Sequence, residues 1–74
     1  MALLVHWERV AETPTTVTYR FGADPGRMGG STVIDKVSGQ PRGTLLGQAT
    51  WVVHEVVRER AATGTWPETG VLVA

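Results

Sequence analysis

The chain has 74 residues, 42% of them apolar, with seven Lys and Arg against seven Asp and Glu and no cysteine, which describes one small domain of zero formal net charge. A domain of this size buries only about 60% of the surface its unfolded chain exposes, which leaves little room for a deep catalytic cleft. Two histidines without a thiol cannot complete a structural zinc site, no disulfide can staple the core, and a pI near 6.7 lacks the basic footprint of a non-specific nucleic-acid binder.

Eleven Val, ten Thr and one Ile make the chain rich in β-branched residues, which suit a pleated surface better than a helical bundle. The apolar run 2–5 stops at His6 and Trp7, too short for a signal-peptide core or a membrane span, so a cytoplasmic location is expected. Residues 3–12 read as a strand, with Leu3, Val5 and Trp7 on one side and Leu4, His6 and Glu8 on the other, and Thr13-Pro14 marks a turn. The clearest strand is 15–21, where Val17, Tyr19 and Phe21 alternate with Thr16, Thr18 and Arg20. The two should pair antiparallel. The loop 22–30 follows, with turn chemistry at Asp24-Pro25-Gly26. A third strand spans 31–37, with Ile34 facing inward, and 38–43 is a polar connection.

Residues 44–62 carry Leu45, Leu46, Ala49, Val52, Val53, Val56 and Val57 at helical spacing. Gly64 stands where a left-handed cap belongs, and Pro67 supplies a stop. The apolar end, 71–74, returns as an edge strand beside the meander. The order is β-β-β-α-β: residues 1–74 form a single α+β domain, an antiparallel sheet of three to four strands with one helix packed on one face.

Few residues suggest chemistry. His54-Glu55 resembles the start of a zinc-protease H-E-x-x-H motif, but Arg58 stands where the second histidine belongs. The glycines at 22, 26, 29 and 30 beside Arg27 invite a phosphate nest, yet neither phosphate-binding glycine spacing is present. Ser31 and Ser38 have no histidine or acid placed beside them by sequence logic, and Asp24, Asp35 and Glu68 pair only if the fold unites them. The expectation is therefore a non-enzymatic protein with no catalytic residues, no metal site and no cofactor.

The more informative pattern lies on the back of the helix. At 100° per residue, Trp51, His54 and Arg58 point away from the valine stripe, so a large aromatic occupies the side that should be polar. Either the segment 65–70 or a loop covers this indole, or the indole is simply half exposed, or the three residues form an interface patch, since Trp and Arg dominate interface energetics. Trp7 points inward, and Trp66 before Pro67 packs against the helix end. The leading expectation is a protein-interaction module, binding a protein partner or forming a homodimer through Trp51, His54 and Arg58. The alternative is a nucleic-acid-binding or small-ligand-binding accessory protein, with Arg20, Arg27 and Arg42 as the contacts. No membrane partner is expected.

Three runs, His6-Trp7-Glu8-Arg9-Val10, the segment from Thr16 to Gly22, and Trp66-Pro67-Glu68-Thr69-Gly70, resemble those of small uncharacterised actinobacterial proteins, and six arginines against one lysine suit a high-GC coding bias. That resemblance spans much of the chain and implies no known activity. The MbtH-like proteins share a small sheet with a helix, but their N-x-E-x-Q-x-S-x-W-P run is absent here.

Overall fold

In the computed structural model, which describes residues 4–42 and 47–73, the alternating segments become strands. They are β1 (Leu4–Glu12), β2 (Thr16–Gly22), β3 (Gly30–Asp35), β4 (Pro41–Arg42) and β5 (Thr69–Val73), with one helix, α1 (Gln48–Thr63), before the last. All four pairings are antiparallel, in the spatial order β4-β3-β2-β1-β5. The α+β class matches expectation, but the sheet has five strands where three or four were expected. The additional strand lies inside the polar connection, where Pro41 pairs with Ile34 and Arg42 with Val33. Two residues, one of them proline, carry no alternation by which a strand could be read. Leu3, Leu45, Leu46 and Ala74 lie outside the described residues.

The third strand ends earlier than its apolar residues suggest. Asp35 Oδ1 accepts the backbone N–H groups of Val37 and Ser38, closing a turn, and Val37 is left 91% exposed at its tip. A carboxylate that captures its own backbone two and three residues on competes with the ladder and stops the strand. Ile34 points inward as expected and is fully buried.

The face toward α1 carries Val5 and Trp7 from β1, Val17, Tyr19 and Phe21 from β2, and Ile34 from β3. Ala49, Val52, Val53 and Val56 of α1 pack against it, with Val57, Trp66 and Leu72 at its margin. Each fully buried large side chain contributes roughly 1.5–3 kcal/mol, so Trp7, Tyr19 and Ile34 anchor the core. The rings of Trp7 and Tyr19 meet edge to face, 5.6 Å apart at 78°. Two of the aromatics face glycines: Trp7 opposes Gly70 and Phe21 opposes Gly30, and each ring lies where a Cβ on that glycine would stand. The sheet tolerates large rings on its inner strands because the flanking strands present bare backbone beneath them.

Valine is a mediocre helix former, so α1 depends on this packing. Its start, at Gly47, has no side-chain cap, while its end is well made. Gly64 takes the left-handed conformation at φ 83° and donates its N–H to the Arg60 carbonyl, as its position in the sequence predicts. The connection to β5 is then tied to the sheet. The Tyr19 hydroxyl donates to the Pro67 carbonyl at 2.5 Å, Arg9 Nη1 to the Trp66 carbonyl at 3.0 Å, and the Arg9 backbone N–H to the Glu68 carbonyl at 2.7 Å. The Arg60 guanidinium sits 5.8 Å from the Trp66 ring centroid. A bulge at Val10, where the β1–β2 register slips between Arg9 and Ala11, changes the facing of the residues after it and sets Glu12 opposite Val17.

Candidate functional site

Because the buried stripe of α1 faces the sheet, residues 51, 54 and 58 are carried to the opposite, exposed side. Trp51, His54 and Arg58 all lie there, as the helical spacing requires. The segment 65–70 does not cover the indole: its tryptophan, Trp66, packs at the core margin beside Arg60, and Trp51 stays 42% exposed. Glu55 Oε1 receives a hydrogen bond from Arg58 Nη2 at 2.5 Å, one turn apart on the helix.

The exposed face of α1 divides two shallow grooves. One, of about 410 Å³, is walled by Trp51, His54 and Glu55 on the helix and by Leu72 and Val73 on β5. The other, of about 450 Å³, runs between Val53, Val57 and Arg58 and the segment Gly39, Gln40 and Pro41. Thr50 and His54 border both. On β5 the side chain that faces the α1 side is Leu72, opposite Val5, while Val73, opposite Leu4, turns its side chain to the other face. Sequence reasoning placed the tryptophan correctly but did not associate Leu72 and Val73 with it. The available signal was a terminal segment of apolar, uncharged residues returning as an edge strand.

Two arginines of the alternative reading, Arg20 and Arg42, share the sheet face away from α1, and each is paired with an acid. Arg20 is bound to Glu8 across β1 and β2, and Arg42 Nη2 lies 3.4 Å from Asp35 Oδ2. Arg27 belongs to the loop 22–30 between β2 and β3. Two of that loop's backbone donors are engaged within it: Asp24 accepts the Gly26 N–H through Oδ1 and the Arg27 N–H through its carbonyl. Those two donors are not available to a phosphate nest.

On the α1 side of the sheet, beyond the core, lies a further cluster of ion pairs, since Glu12 stands opposite Val17 and Arg9 opposite Tyr19. Glu12 binds Lys36 Nζ at 2.5 Å and lies 3.4 Å from Arg9 Nη1. The hydrogen bond from Lys36 holds the Glu12 carboxyl below the usual carboxylate range. The Ser38 and Val37 backbone N–H groups, reinforced by Arg42, do the same for Asp35. Burial pushes the Tyr19 phenol in the other direction, above its ordinary value. None of these groups lines either groove.

Among the described residues no three histidines, cysteines or acids are grouped to hold a metal ion, and no helix is long and apolar enough to cross a membrane. No protein-family model matches the chain, and no curated protein or solved structure matches it significantly.

Proposed function

We propose that this chain is a small, non-enzymatic protein-interaction module whose contact surface is the exposed face of α1, with Trp51 as the anchor and His54 and Arg58 beside it. The observation that carries the reading is an indole left 42% exposed beside apolar Leu72, on a helix whose apolar stripe faces elsewhere. A tryptophan in a shallow apolar groove with an oriented arginine nearby has the composition of an interface centre with a polar rim. The ion pairs of Arg20 and Arg42 give the nucleic-acid reading no comparable support, and the turn at Asp24, which engages the Gly26 and Arg27 N–H groups, favours no phosphate ligand. A cytoplasmic location remains part of the proposal, and cell fractionation tests it.

Site-specific photo-crosslinking tests the contact surface. A photoreactive residue in place of His54 is expected to give a discrete crosslinked product, lost on Trp51→Ala. The same residue in place of Thr18, on the far sheet face, is expected to give none. A folded protein in which position 54 crosslinks no better than position 18 overturns the reading.

A further inference from the structure

The two edges of the sheet are unlike. One is β4, two residues long and begun by Pro41, which has no N–H to offer a neighbour. The other is β5, five residues whose inner edge pairs with β1 and whose outer edge meets no strand among the described residues. A free edge of this kind is a template for another strand, and natural edges are usually blunted by charge, proline, a bulge or shortness. β4 is short and contains proline. β5 has none of these protections: Thr69-Gly70-Val71-Leu72-Val73 is free of charge and proline, and its register with β1 runs without a break.

We infer that the outer edge of β5 pairs antiparallel with β5 of a second copy of this chain, joining two sheets across a two-fold axis at Val71. Self-pairing imposes a condition that a general partner does not, because residues near the axis face their own kind. Any charge there would meet a like charge. β5 satisfies this condition along its whole length, and a formal net charge of zero adds no repulsion between copies. In this register Val71 faces Val71, while Thr69 faces Val73. The outer-face residues Val71 and Val73, 52% and 66% exposed, then extend an apolar strip begun by Leu4, the cross-strand partner of Val73.

Five residues of edge alone fall short of the roughly 1,000 Å² of a standard stable interface, so the edge pairing by itself gives a weak dimer that a second contact strengthens. Both helices lie on the same side of the joined sheet, and Trp51 borders β5 through Leu72 and Val73. We place the second contact at the grooves between Trp51 and β5, which lie on the same side of the two joined sheets. This helix contact rests on the interaction reading for Trp51, whereas the edge pairing stands apart from it.

The absence of cysteine allows a direct test. Residues opposed across antiparallel strands have Cβ atoms about 4.5–5.5 Å apart, close enough for engineered thiols to bridge. In Val71→Cys, oxidised glutathione takes two electrons from two thiols, and a disulfide-linked dimer is expected to form roughly tenfold or more faster than in Val37→Cys, whose site is the exposed turn far from β5. Sedimentation of the full chain is expected to show a monomer–dimer equilibrium, weakened roughly tenfold or more by Val71→Lys with circular dichroism unchanged. A monomer at all concentrations, a dimer indifferent to Val71→Lys, or equal crosslinking of the two cysteine variants overturns the edge pairing. Trp51→Ala separates the two readings. A dimer that survives it but crosslinks through position 71 supports the edge and removes Trp51. A dimer lost only with Trp51→Ala, without crosslinking at 71, removes the edge and keeps Trp51.

Discussion

The indole of Trp7 lies across the backbone of Gly70, its cross-strand partner, in the space that any larger residue at that position would need for its Cβ. Ring and glycine form one unit: the tryptophan is buried because the strand beside it has no side chain there. Gly70→Ala is expected to destabilise the fold by about 1–3 kcal/mol, the usual cost of overpacking a filled core, as read from urea unfolding. Gly30→Ala against Phe21 is expected to behave alike. Gly29→Ala, at a position with open space around it, is the neutral comparison.

Tyr19 is the only tyrosine and holds the connection into β5 through the Pro67 carbonyl. Tyr19→Phe is expected to cost about 1 kcal/mol, the net worth of one such bond. Burial raises the folded-state pKa of the phenol, so the folded chain retains the proton more firmly than the unfolded one. That contribution is complete below the ordinary tyrosine value near 10 and declines as pH rises above it. Tyrosinate absorbance is expected to appear only together with alkaline unfolding.

The acid side runs in the opposite sense. Glu12 and Asp35 have folded-state pKa values below their ordinary ones, so the unfolded chain binds protons more readily. Stability is expected to be complete above about pH 5 and to fall as the pH drops through the carboxylate range. Asp35→Asn is expected to flatten this acid limb, and unfolding series at several pH values measure it.

Thr32 is a buried polar residue opposite Tyr19, and its hydroxyl has no hydrogen-bond partner among the described residues. Removing an unsatisfied buried hydroxyl while keeping the shape relieves a desolvation cost of about 1–3 kcal/mol. Thr32→Val is expected to leave stability unchanged or raise it by about 1 kcal/mol, read as the shift of the urea midpoint. A clear loss would mean that the hydroxyl has a partner in solution.

What the sequence disclosed follows from range. The alternation of β2 and the valine stripe of α1 are local patterns, and they placed Tyr19, Phe21, Val52 and Val56 in the core correctly. The same helical spacing brought Trp51, His54 and Arg58 to one exposed face. Val37 was misplaced in a strand because its apolar character says nothing of the Asp35 carboxylate that turns the backbone before it. β4 was missed because two residues have no period. The company of Trp51 was missed because Leu72 reaches it only once β5 has paired with β1, a long-range event that no local pattern encodes.

The pairing of Leu4 with Val73 also sets the order of events in folding. The β1–β2–β3 meander closes over short separations, whereas β5 must return across nearly the whole described chain, and such closures are the slow ones. Trp7 cannot be fully enclosed until Gly70 arrives beneath it. The most deeply buried tryptophan therefore records the final closure, and its fluorescence is expected to settle with the slowest phase of refolding, after the meander has formed.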